Sequence, residues 1–261
     1  MRDPGLNHAM EEAGGVNAFA RRLGRAPPSI SSRTRVPPEQ GNSVESLHDV
    51  NAVAPRADFF GEPQMTVDID EVDAARAREY ALLSALLVRA PGAALLEKIS
   101  LLQGDATPLG VAHIALAEAA GQATVASVER EFFDLFIGMG RGELMPYGSY
   151  YLTGFLNERP LARLREDLGK FGIERVEKNV EPEDQAATLC EIMSGLADGR
   201  FGTPPGADQQ IFEKHVAPWM GRFFTDLERA EAARFYRAVG TIGRLLVDIE
   251  TEAFAISADR D

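Results

Sequence analysis

The chain has a single cysteine, Cys190, in 261 residues, so no internal disulfide can form and a reducing compartment is expected. It has no run near the roughly 18 apolar residues that cross a bilayer, and its first charges are not followed by an apolar stretch. Neither membrane insertion nor secretion is therefore expected, and the cytoplasm is the natural address. An arginine pair, Arg21 and Arg22, is followed by Leu23, Gly24, Arg25 and two prolines, where a twin-arginine export signal needs an apolar segment. Basic residues are scarce, 27 against 40 acidic, for a net charge of -13. Residues 1–61 carry seven of each sign, so the whole excess falls on residues 62–261, with 20 basic and 33 acidic. A domain so acidic repels phosphate backbones and favours basic partners, which disfavours nucleic acid; simple solubility is the plain alternative.

Catalytic signatures are also missing. There is no Walker A loop, GxSxG elbow, HExxH or CxxC. The run GMGRG at Gly138 lacks the third glycine of a dinucleotide fingerprint and follows a helical segment. His8, His48, His113 and His215 have no metal-ligand spacing among them. DIDEVD at Asp68 lacks the glycine of a calcium loop and reads as a helix N-terminus. Cys190 lies within one or two residues of an apolar stripe, as a buried structural thiol would. No catalytic residue, metal or cofactor is expected, and the protein reads as a non-enzyme.

What is present is helical periodicity. Ile69, Val72, Tyr80, Leu83 and Leu87 mark a first helix stopped by Pro91 and Gly92, and Ala93 to Leu102 a short second one. Pro108 to Ala120 gives a third. Val125, Val128, Phe132 and Phe136 give a fourth, ended by Gly138, Gly140 and Gly142. Ser149 to Glu158 can form another, followed by Leu161, Leu164 and Leu168. Ala186, Leu189, Met193 and Leu196 line one face of a helix that would start at Pro182, with acidic residues at the positive end of its dipole. QQIFEKHVAPWMGRFFTDLE is a helix interrupted or redirected at Pro218. The clearest stripe is Phe235, Val239, Ile242, Leu246, Ile249, Ala253 and Ile256. Two-residue alternation is absent, so the fold class is all-α: one helical-bundle domain over residues 68–261. A short helical segment (residues 1–38) and a flexible linker rich in Pro, Gly, Ser and Asn (39–67) are expected before it.

Glu131 to Pro160, EFFDLFIGMGRGELMPYGSYYLTGFLNERP, combines an apolar helix end, a glycine-broken loop and an aromatic turn. The residues leave two readings open, a gripping surface or a core helix with an ordinary turn. Trp219 and Pro218 likewise read either as contact residues or as a packed kink.

Two stretches resemble known families. AMEEAGGVNAFARRLGRAPPSISSRTRVPPE resembles YdaS-like, Cro-type helix-turn-helix segments, with short helices at Leu6 to Ala13, Val16 to Leu23 and from Pro27. It departs from them at Arg33, where an aromatic residue is usual, and at Pro28. That resemblance implies an alternative role as a DNA-binding regulator, or a vestigial segment.

The domain from about Ala74 to Ile256 resembles the TorD family of molybdoenzyme-specific cytoplasmic chaperones, with its DmsD and NarJ branches. EFFDLF at Glu131, PYGSYYL at Pro146, EPEDQ at Glu181 and HVAPW at His215 carry the likeness, in order. It implies an all-helical fold and a partner that is a molybdoenzyme catalytic subunit or its twin-arginine signal peptide, held until cofactor insertion. It maps client contact to Phe133, Phe136, Pro146, Tyr147, Gly148, Ser149, Tyr150, Glu181, Pro182 and Asp184. Within Glu131 to Pro160, Phe132 and Leu135 are assigned to the bundle and Phe136, Tyr147 and Tyr150 to the client. Gln185 replaces the family's usual histidine, and Tyr147 stands where several relatives have tryptophan. GSYYLTGFLNERPLARLR is most similar to the branch associated with formate dehydrogenases, which names the expected client. Neither monomer nor dimer is favoured by any residue.

Such a site needs carboxylates beside an apolar groove, because a twin-arginine signal is a basic region followed by an apolar one. Glu181, Glu183 and Asp184 suit the arginines, and Phe136, Tyr147, Tyr150 and Tyr151 the apolar part.

Overall fold

Asp70 opens the bundle by accepting the amide of Val72 on its side chain at 3.0 Å, which caps helix α1 (Glu71–Val88). The computed structural model describes residues 70–174 and 181–258; the expected segments at 1–38 and 39–67 lie outside the described residues. After α1 come α2 (Ala93–Ser100), α3 (Pro108–Gln122) and α4 (Val125–Phe132), the last continued by a π-helical turn (Phe133–Ile137). Next are α5 (Gly148–Thr153), α6 (Arg159–Lys170) and α7 (Ala186–Ala197). α8 (Ala207–Ile211) runs into a second π-helical turn (Phe212–Val216), and α9 (Met220–Arg229) and α10 (Phe235–Ala258) complete the order. The fold is an all-helical bundle without named strands among the described residues.

Local sequence accounts for several helix starts. Thr107 accepts the Gly110 amide with Pro108 at the first helical position, and Thr124 and Ser127 exchange side-chain and backbone hydrogen bonds in a reciprocal box. Two expected boundaries are corrected. α5 ends at Thr153 instead of reaching Glu158, because Gly154 takes a left-handed conformation (φ 83) that closes the helix. α7 begins at Ala186, with Gln185 as its cap and Pro182 four residues outside, because the backbone of 184–186 pairs with residues 146–148.

α1 and α7 cross at the centre, and both are buried nearly all round. α10 packs along α9 and α3, burying Phe235, Val239, Ile242, Leu246, Ile249 and Ala253 of the stripe expected from periodicity, with its last member, Ile256, half-buried. Cys190 lies wholly inside, and burial pushes its thiol well above the ordinary range. Arg76 is 2% exposed and grips Glu250 through two 2.8 Å bonds, with Asp73 and Asp208 each at 2.9 Å, so one buried guanidinium ties α1, α8 and α10.

Candidate functional site

Two stretches separated by about 35 residues meet here. The Gly148 amide donates to the Asp184 carbonyl at 2.8 Å, and the Ala186 amide donates to the Pro146 carbonyl at 2.8 Å, leaving Tyr147 and Gln185 as an isolated antiparallel bridge. The Asp184 carboxylate then accepts the Ser149 amide at 2.6 Å, at the start of α5. Its other oxygen and the Ser149 hydroxyl are both buried without a hydrogen-bond partner among the described residues. Asp184 is 3% exposed, so an unsatisfied carboxylate oxygen there is costly unless a donor reaches it.

The neighbouring carboxylates have defined partners. Glu181 accepts from the Tyr147 hydroxyl at 3.0 Å, and Glu183, buried, receives Arg165 at 2.8 Å. Burial and then the Glu181 charge push the Tyr147 phenol well up. Gln185 accepts the Thr188 amide at 3.2 Å as the cap of α7.

The aromatic residues of this stretch each reach a different segment. Tyr150 is covered by the Arg141 guanidinium, 5.1 Å from its ring centroid, and its hydroxyl accepts from that arginine. Tyr151 donates to Asp226 at 3.0 Å and packs 5.5 Å from Trp219. Trp219 is 1% exposed and donates its indole N–H to the His215 carbonyl at 2.7 Å, a packed kink ahead of α9. A Cβ on Gly148 would stand 3.0 Å from that indole nitrogen, so only glycine lets the turn approach the ring this closely.

Phe133 and Phe136 belong to the π-helical turn and are half-buried, while Leu135 is fully buried. The Phe136 ring lies edge-on to Phe132 at 5.1 Å and to Tyr236 at 5.5 Å; Phe132 also contacts Tyr236, at 5.9 Å. Both phenylalanines thus pack on α10, each with part of its surface outward. Gly138 ends the turn at φ 60, and Met139 beyond it is 98% exposed. Pro146, Gly148 and Ser149 are buried; Tyr147, Tyr150 and Pro182 are half-buried, and Glu181 is exposed.

Sequence reasoning passed over a groove that, of the expected site residues, only Gly148 and Asp184 line. A cavity of about 360 Å³ lies between α5, α6 and the turn Phe212–Val216, and Gly148, Leu152, Pro160, Leu164, Asp184 and Trp219 are among its lining. One wall is ionic: Asp167 receives His215 at 2.9 Å and Lys170 at 2.9 Å, with Lys214 at 3.6 Å. Burial opposes the charge on Asp167, but the hydrogen bonds from Lys170 and His215 outweigh it and hold the carboxyl at about 2. Burial in turn lowers His215 despite Asp167. Beyond the rim, Leu152, Phe155 and Leu156 are 44%, 69% and 41% exposed, an apolar shelf. HVAPW and TGFLNERP were the available signals, but nothing local showed that they converge. Among the described residues no cluster of three or more His, Cys, Asp or Glu can hold a metal ion, and no helix is long and apolar enough to cross a membrane.

The class these features define is an all-helical bundle with a groove of about 360 Å³, apolar at Leu152, Pro160 and Leu164, ionic along Asp167, Lys214 and His215, and bordered by a carboxylate with one unpaired oxygen. Comparison with known proteins takes this further: residues 102–225 match the model of the family described as nitrate reductase delta subunit. The chain is similar to the chaperone protein TorD of Vibrio cholerae, 29% identical over 122 residues, covering 43% of this chain and 55% of that protein. It is similar to TorD of Shewanella loihica at 24% identity over 211 residues, covering 72% of this chain and 97% of that protein. The chain thus spans about half the length of the Vibrio cholerae relative and nearly all of the Shewanella one. A solved structure described as a candidate redox enzyme maturation protein from Archaeoglobus fulgidus is 20% identical, with a TM-score of 0.45, covering 66% of this chain and 93% of that one.

Proposed function

We propose that this protein is a cytoplasmic, non-catalytic chaperone of redox-enzyme maturation. It binds the twin-arginine signal peptide, or another basic and apolar segment, of a molybdoenzyme catalytic subunit, with formate dehydrogenase the expected client. The observation that carries this reading is the second oxygen of Asp184, buried, unpaired and set at the edge of the apolar groove. An incoming guanidinium satisfies that oxygen through charge-assisted hydrogen bonds, while the following apolar residues cover Leu152 and Pro160. Gly148 and Ser149 position Asp184 through their amides, and Tyr147 holds Glu181; Phe133, Phe136 and Tyr150 offer further partly exposed aromatic surface on the preceding stretch. The likeness to TorD chaperones supports the chaperone class.

The test is titration calorimetry of the full chain with a synthetic peptide that carries an arginine pair followed by an apolar run. Asp184→Asn keeps an oxygen for the Ser149 amide and removes the charge. It is expected to weaken binding by about tenfold or more, the loss of one charge-assisted contact. Unchanged affinity would remove Asp184 from the site, and absence of binding to the unmodified protein would defeat the reading itself.

A further inference from the structure

Resting on that proposed site, a second occupant is available within the chain itself. Residues 16–36 contain five arginines and no acidic side chain, a net +5 in a chain of net charge -13, so the remainder carries -18. Within them Phe19 and Leu23 flank the pair Arg21 and Arg22, so a short piece of this chain presents two guanidinium groups between two apolar side chains. This is the chemistry the groove accepts: an unpaired buried carboxylate oxygen on Asp184 next to the apolar shelf of Leu152 and Phe155.

The path of the chain permits the contact. α1 starts at Glu71, and one turn later Arg76 is bonded to Asp208. Asp208 lies seven residues before His215, which lines the groove, a distance of about 10 Å along helical backbone. Residues 23–69 separate the arginine pair from that point, and at up to about 3.3 Å per residue a chain of that length can span well over the distance to the groove. The tether therefore reaches the groove easily and holds the pair at an effective concentration of order millimolar.

We propose that the segment around Arg21 and Arg22 docks in the chain's own groove, with the arginine pair on Asp184 and Phe19 and Leu23 on the shelf, as an intramolecular placeholder. The segment is a short mimic only. Gly24, Arg25, Pro27 and Pro28 follow where a client continues with apolar residues, so a client gains apolar contact that the placeholder lacks and displaces it. Occupancy by the placeholder keeps the groove covered and raises the threshold for weak, non-client peptides.

The experiment uses the full chain with a photoreactive amino acid in place of Leu23, with cross-links mapped by mass spectrometry. Expected are cross-links within one molecule to residues 148–167 or 214–219, at a yield independent of protein concentration. Arg21→Glu combined with Arg22→Glu, which leaves the bundle untouched, should cut that yield severalfold and strengthen binding of the added twin-arginine peptide by about tenfold. Cross-links elsewhere, or a yield unaffected by the charge reversal, would overturn the placeholder. A yield that rises with protein concentration would overturn it in favour of contact between copies. If the cross-link behaves as expected while no added peptide binds either protein, the placeholder stands and the client reading of the groove falls.

Discussion

Glu131, on α4, accepts the backbone amide of Tyr236 at 2.7 Å, more than a hundred positions further along the chain. Its carboxylate also takes the amides of Arg234 at 2.7 Å and Phe235 at 3.1 Å, so one buried side chain satisfies the exposed donors at the start of α10. Glu143 does the same for Glu231 and Ala232, at 2.7 and 3.1 Å. The first residue of the EFFDLF motif is therefore a helix cap supplied from another element.

Replacing Glu131 should therefore act on stability. Glu131→Ala removes three backbone contacts and a charge at the positive end of a helix, and should cost about 2–4 kcal/mol in urea unfolding. Glu131→Gln keeps an acceptor and should cost roughly half as much. A loss below the noise of the midpoint would show that the cap is dispensable.

The groove wall predicts a pH dependence. Asp167 is held at about 2, below its unfolded value, so its contribution is present above about 4 and drains away as pH falls towards 2. His215 is also lowered from 6.5, so the unfolded chain takes up its proton first and stability falls as pH drops through 6.5. Both effects have the same sign. Urea midpoints should decline from pH 7 to 5 and again below 4, and His215→Gln should flatten the upper part and, through its bond to Asp167, alter the lower part as well. A midpoint that rises on acidification would contradict this assignment.

Gly148→Ala tests the close approach to the indole. Its new methyl would meet Trp219 at 3.0 Å, and relief requires either the turn or the ring to move, at about 1–3 kcal/mol. Trp219 is the only tryptophan, so the strain should also appear as a shift in its emission. An unchanged spectrum with an unchanged melting temperature would mean that the turn is more yielding than its packing indicates.

Much of the bundle was legible in local sequence. Asp70, Thr107 and Thr124 announce their helices through side-chain caps within three residues, and α10 shows its buried stripe in steps of three and four. Pro182 misled because its preference for a first helical position is a local tendency, whereas the bonds from Ala186 to Pro146 and from Gly148 to Asp184 join distant residues. The Arg165 pairing of Glu183 is non-local in the same way, which is why Glu181, Glu183 and Asp184 looked equally suited to the arginines. Family resemblance pointed to the meeting of residues 146–149 with 181–185, which periodicity could not. Neither anticipated the groove between α5 and α6, since Leu152, Phe155 and Leu156 read as ordinary helix residues until Gly154 ended the helix beneath them.

The tie between Arg76 and Glu250 also bears on the order in which the protein is made. Arg76 leaves the ribosome early and Glu250 near the end of the described chain, with most of the bundle synthesised between them. Until α10 has emerged, the guanidinium lacks its bidentate partner, and burying it alone would cost several kcal/mol. Closure of the bundle around α1 therefore depends on α10, since without Glu250 the buried guanidinium loses its bidentate partner.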